Sequence, residues 1–199
     1  MAGKTKLVGK NLEIALKMLY DVTLTMEKAK IPYWLEGGTL LGIIRENRIL
    51  PWDNDMDISM EEKYKFRLLK VIISLSFQGY RISIRHFAKS IAPFKKFEFR
   101  MLKVRNYDGF LRKGDVMLDI FVKRRIKDDI FWTVGVKTPV LKSSPIEFCD
   151  NLIWHEFEGK KYMIPEDFDG YLTYRYGDWK TPVKTWNFKK DDKAIVESK

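Results

Sequence analysis

Cysteine is nearly absent: Cys149 stands alone in 199 residues, which excludes an internal disulfide framework and any metal site built on cysteine pairs, and fits a reducing compartment. Histidine is almost as scarce. His86 and His155 are far apart and lack a partner at ligand spacing, so zinc chemistry and a histidine-dependent triad have no support. No apolar run approaches membrane-spanning length, and Glu13, Lys17 and Asp21 interrupt Leu12 to Leu24. Neither a signal peptide nor a span is expected, and the expectation is a soluble, cytoplasmic protein able to visit a membrane face. Repeats and low-complexity tracts are missing too, apart from a charged tail, Lys189 to Lys199, read as mobile.

Acids are in deficit. Against 37 basic residues stand 27 acidic ones, a net charge of +10, which attracts anions in general: nucleotide phosphates, acidic glycans, nucleic acid or an anionic membrane surface. With 45% apolar and 14% aromatic content, and no linker to divide it, the chain suits one compact domain over residues 1–188 followed by the tail.

What is there concentrates in one stretch. Glu36-Gly37-Gly38-Thr39-Leu40-Leu41-Gly42 is followed by Arg45 and then by Pro51-Trp52-Asp53-Asn54-Asp55-Met56-Asp57. If Asp53 to Met60 is extended, Asp53, Asp55 and Asp57 project from one face. Like charges that close repel by about 4 kcal/mol per pair at an effective dielectric near 20, so they need a cation, a proton or a basic neighbour. Mg²⁺, or Mn²⁺, takes oxygen ligands and leaves room for a third acid from elsewhere. Asp119 is the candidate, because it lies in the apolar run Val116 to Val122, which reads as a buried strand. Gly37-Gly38 after a short Tyr33-Trp34-Leu35 strand permits a tight turn with N–H groups free for a phosphate, and Thr39 could cap a helix to about Arg45. Arg45 adds a forked cation for phosphate; its plainer alternative is a surface pair with Glu46 or Asp53. Asp53 is read either as a further ligand or as a residue that orients Arg45 or Trp52.

These residues resemble the signature of the LicD family, bacterial phosphocholine transferases whose relatives include fukutin and fukutin-related protein. Tyr171-Leu172-Thr173-Tyr174-Arg175-Tyr176-Gly177-Asp178-Trp179 is similar to that family's closing motif. The resemblance implies an α/β (α+β) nucleotidyltransferase-type fold, a mixed sheet packed with helices. It implies transfer of phosphocholine or an alditol phosphate from a CDP-activated donor to a glycan hydroxyl, free or lipid-linked, in cell-surface polysaccharide synthesis. Carried over, Asp55 and Asp57 are the metal-binding pair and Asp119 the third acid. Asn54 and Lys123-Arg124-Arg125 depart from the family pattern without removing a ligand. No specific nucleic acid is expected as a partner; nucleotidyl transfer from a triphosphate and a non-catalytic polyanion-binding module are the alternatives.

Elsewhere, Leu12 to Met26 repeats apolar residues at helical spacing, and Glu61 to Gln78 reads as helix stopped by Gly79. Tyr80 to Phe87 and Phe97 to Val104 alternate as an antiparallel pair, with a turn over Asn106 to Gly114. Beyond Lys127 the signal weakens until Pro165, read as opening a helix through Leu172 to Tyr176. A calcium loop is rejected, since Ile58 and Tyr64 stand where glycine and glutamate are required. Of Trp34, Trp52 and Trp179, at least two are expected in the core, and Lys123-Arg124-Arg125 is as readily a solvated cluster as an anion contact.

Overall fold

A computed structural model describes residues 5–110, 112–135, 138–183 and 186–196. Helix α1 (Lys10–Lys28) turns Ala15, Met18, Leu19, Val22 and Met26 inward, the one-sided stripe that a 3.6-residue repeat produces. Strand β1 (Trp34–Leu35), helix α2 (Gly37–Glu46) and strand β2 (Met56–Glu61) follow. A 3₁₀ segment, Glu62–Arg67, leads into α3 (Leu68–Phe77), then β3 (Arg81–His86), β4 (Phe99–Tyr107) and the long β5 (Lys113–Ile126). Strands β6 (Asp129–Val134) and β7 (Val140–Pro145), the short α4 (Glu147–Asp150), a β8–β9 hairpin (Leu152–Phe157, Lys160–Pro165) and α5 (Phe168–Tyr176) complete the order.

The main sheet runs β1-β2-β5-β4-β3, and β6 and β7 extend it from the far end of β5. Only β2 and β5 are parallel neighbours in it; the other pairings are antiparallel. Because strand side chains alternate, each face has its own chemistry. Ile58, Met60, Leu102, Val104, Leu118 and Ile120 face α1 and α3 in the larger core cluster. The opposite face carries Asp57, Ser59, Lys103, Asp119 and Lys123 beside a smaller apolar cluster of Trp34, Met101, Phe121, Ile130, Trp132, Ile146 and Cys149. The result is the expected mixed α/β architecture in one compact domain.

Several boundaries differ from the sequence reading. Helix α2 starts at Gly37 and is capped by Glu36, whose carboxylate accepts from the Gly37 N–H, so Thr39 is not the cap. Strand β2 starts at Met56, leaving Asp53 and Asp55 in the connection before it. Glu61 to Gln78 divides into 3₁₀ and α segments, and Gly79 ends α3 with φ +84. Pro165 closes β9 instead of opening a helix; Asp167 caps α5 through the Gly170 N–H. The weak region past Lys127 holds four strands whose burial is irregular. Buried Lys142 on β7, which answers to a distant Asp192, spoils the alternation there. The described part of the tail is anchored: Asp192 and Ala194 are buried, Ser143 donates to the Ala194 carbonyl, and the Val196 N–H donates to Leu141. Residues 197–199 lie outside the described residues.

Gly42 is fixed by contact. A β-carbon there would stand 2.7 Å from the Arg48 carbonyl oxygen and 2.8 Å from Leu50 Cγ. Gly42→Ala gains about 1 kcal/mol of helix propensity but costs about 1–3 kcal/mol in overpacking. A thermal melt should therefore fall by a few degrees, about 2–4 °C per kcal/mol at this size; a raised melting temperature contradicts the packing.

Candidate active site

Parallel pairing of β2 with β5 sets Asp57 directly across from Asp119. Asp55 joins them from the turn before β2, and the three offer carboxylate oxygens within 4.8 Å of one another. Acids from two separate segments therefore meet, as the sequence reading required. Helix α2 presses its first turn on the same place. A β-carbon on Gly37 (φ +57) would lie 3.1 Å from Asp57 Oδ2, and one on Gly38 would lie 2.2 Å from Asp53 Oδ2. Both glycines are thus spaces for carboxylates as much as a turn, and the positive end of the helix favours those acids. Thr39 accepts through Oγ1 from the Asp57 N–H at 2.9 Å, tying the helix to the strand.

The electrostatics are unfavourable without a counter-ion. Burial, then the charges of Asp55, Asp119, Asp53 and Glu36, push the Asp57 carboxyl well above the usual range. Burial and Asp55 raise Asp53 to about 6. Asp119 is also raised by burial, which the Lys103 ammonium only partly offsets. Lys103, across from Asp119 on β4, bonds Oδ2. Asp119 Oδ1 is buried and has no hydrogen-bond partner among the described residues. Buried polar atoms are rarely left so, and an unpartnered carboxylate oxygen in a group of three acids suits a hard, oxygen-seeking divalent cation. The donor set fits such an ion.

Asp53 falls outside the group of three and lies against Gly38, not against Arg45. Arg45 sits in the last turn of α2, bonded to the Glu46 carboxylate and the Trp179 carbonyl. Trp179 in turn lines an open cleft of about 460 Å³ with Thr173, Gly177, Asp178, Lys180 and Lys193. Arg45 is not brought to the glycine turn. Trp34 and Trp179 are buried, while Trp52 beside Asp53 is 52% exposed. Lys123-Arg124-Arg125 does not act as one cluster: Lys123 is buried, Arg124 pairs with Glu62 and Glu98, and Arg125 pairs with Asp150.

Sequence reasoning missed the residue that holds this end of α2. Glu36 is 3% exposed and bonds Lys123, Arg175, Tyr171, Trp34 Nε1 and Ser59. Arg175 continues to Asp192, which also pairs with Lys142. Lys123 Nζ lies 3.7 Å from the centre of the Trp132 ring. Burial alone would raise the Glu36 carboxyl, but Lys123 and Arg175 outweigh it and hold it well below the usual carboxylate range. Its place next to the glycines was the one available signal; Asp192 and Lys142 offered none.

The fold is that of a nucleotidyltransferase-type domain. Residues 30–167 match the family described as LicD/FKTN/FKRP, nucleotidyltransferase domain; the chain belongs to this family. It is 31% identical over 179 residues to ribitol-5-phosphate transferase FKTN of Macaca fascicularis, covering 88% of this chain and 35% of that protein. It is 30% identical to lipopolysaccharide cholinephosphotransferase LicD of Haemophilus influenzae, covering 77% of this chain and 83% of that one. The chain thus spans about a third of the FKTN proteins it matches, at 35%. Among solved structures, ANT(2″)-Ia in complex with adenylyl-2″-tobramycin aligns with a TM-score of 0.46 at 12% identity, over 79% of this chain and 75% of that one.

Two outcomes follow from the charges. Glu36→Gln leaves Lys123 and Arg175 buried with less compensation and should cost about 3–5 kcal/mol in urea unfolding. Because the Glu36 carboxyl is depressed in the folded state, its contribution is full above about pH 4.3 and fades as pH falls toward the lower folded value. The deficit should therefore be constant near neutrality and shrink in acid. Asp57→Asn relieves repulsion, so with chelator its melting temperature should equal or exceed that of the parent, the reverse of most buried substitutions. Mg²⁺ or Mn²⁺ should raise the melting temperature of the parent alone. That gain should grow as pH rises, because the raised ligand carboxyls must lose their protons to bind the ion.

Proposed function

We propose that the protein is a metal-dependent phosphotransferase. It moves a phospho-linked small group, phosphocholine or an alditol phosphate such as ribitol phosphate, from a CDP-activated donor to a glycan hydroxyl and releases CMP. The observation that carries this reading is the convergence of Asp55, Asp57 and Asp119 at the glycine start of α2. Family membership and the activities for which FKTN and LicD are named support the choice of transferred group.

Asp55, Asp57 and Asp119 would hold Mg²⁺ or Mn²⁺, which when bound neutralises charge on the donor diphosphate. Gly38 and Thr39 supply first-turn N–H groups to the leaving nucleotide phosphate, since a helix start leaves such donors unused. Glu36 keeps that turn in place against β2. Lys103 keeps Asp119 oriented through Oδ2, so its other oxygen is left for an ion or for the proton of the acceptor hydroxyl. In the transfer itself the acceptor oxygen bonds to the phosphorus distal to the nucleoside, the bond from that phosphorus to the CMP oxygen breaks, and the hydroxyl proton passes to a carboxylate. Arg45, held at the far end of α2, takes no part in this step.

The assay is acceptor-dependent CMP release from CDP-choline or CDP-ribitol with Mg²⁺ and sugar acceptors. Asp57→Asn and Asp119→Asn should each reduce it by on the order of a thousandfold while the fold persists by circular dichroism. Pyrophosphate release from a nucleoside triphosphate would replace this reading with nucleotidyl transfer. Absence of both products would leave the polyanion-binding alternative in its place.

A further inference from the structure

Helix α3 is apolar on both sides. Leu68, Val71 and Leu75 are buried against the core. On the opposite side Leu69 is 63% exposed, Ile73 50% and Phe77 90%, and Phe66, in the 3₁₀ segment that leads into the helix, is 85% exposed. These recur at helical spacing, so they form one continuous outer stripe. A helix apolar all round is ordinarily covered, and exposed apolar patches of this kind mark interaction surfaces. Among the described residues nothing covers this one.

The charge around it is unusually one-sided. From Lys63 to Phe97 the sequence contains Lys63, Lys65, Arg67, Lys70, Arg81, Arg85, Lys89, Lys95 and Lys96 and no aspartate or glutamate. Those nine cations nearly equal the whole surplus of +10. Lys63 and Lys65 pair with Glu61 and Glu62 at the start of the segment. Lys70, Arg81, Arg85, Lys89, Lys95 and Lys96 are exposed and have no ion pair among the described residues. β3, which follows α3 directly, is the edge strand of the sheet; it exposes Ile84 on the side of α3 and Arg81 and Arg85 on its other side.

We propose that α3 and the adjoining edge strand dock on an anionic lipid bilayer, with Phe66, Leu69, Ile73 and Phe77 entering the headgroup boundary and the flanking cations meeting lipid phosphates. Both halves of the surface are then used, as in helices that lie in a membrane interface. A second copy of the chain fits less well, because a two-fold contact would set the unpaired cations of this face against their own copies. A polyanion such as RNA would satisfy the cations but leave the four apolar side chains in water.

The test is sedimentation of the full chain with vesicles of phosphatidylcholine alone or mixed with phosphatidylglycerol, beside the double variant Phe66→Ser/Phe77→Ser. The parent should pellet with the anionic vesicles and stay in solution with neutral ones. The variant, with exposed positions changed and its melting temperature unaltered, should bind at least about tenfold more weakly. Failure of the parent to bind overturns the proposal. Undiminished binding by the variant overturns it in favour of plain polyanion attraction, and a parent dimer that the variant abolishes assigns the stripe to a second copy. None of these outcomes depends on the transferase reading, since no nucleotide is present.

Discussion

The site depends on the parallel pairing of β2 with β5. Antiparallel neighbours dominate the rest of the main sheet, yet this one contact brings together Asp57 and Asp119, sixty-odd residues apart in the chain, at a shared register. A slip of β2 by one residue against β5 would turn Asp57 into the helix-packed core and send Ile58 to the polar face. The register is held from both sides: the hydrophobic sets facing α1 and α3 cannot be inverted, and Lys103 on β4 meets Asp119 from the other flank.

The second constraint is the seat of α2. Its first turn must approach the acids closely enough that any side chain at 38 would overlap Asp53. Glu36 holds that seat by ion pairs to β5 and α5, and Arg175 extends the connection through Asp192 to β7. Such a buried network is costly to assemble and more costly to break at one member. The C-terminal segment therefore belongs to the architecture of the candidate site although it lies far from it in sequence. Its charged composition reads as a mobile tail, yet within it Asp192 is buried between Lys142 and Arg175.

The two ends of the charge distribution have opposite characters. Acids gather on the buried polar face, where burial and mutual repulsion raise their proton affinity. Unpaired cations gather on α3, the edge strand and the loop after it, beside exposed aromatic side chains. Hence the first region calls for a cation, and the second for an anionic, partly apolar surface.

By itself the sequence determined the local elements and the identity of the acids. Periodicity is a property of neighbours, so α1, α3 and the β3–β4 pair could be read from spacing, and the Asp-x-Asp run beside two glycines marked Asp55 and Asp57. Asp119 could be singled out because an ionised group in an apolar run demands a partner. Only the tertiary structure decided which partners those demands met. It placed Arg45 on Trp179 instead of at the glycine turn, gave the α2 cap to Glu36, and hid Lys123, Lys142 and Asp192 in pairs. The reason is physical: a buried charge is tolerated according to what faces it across space, and that neighbour, unlike a helical repeat, leaves no mark at a fixed distance along the chain.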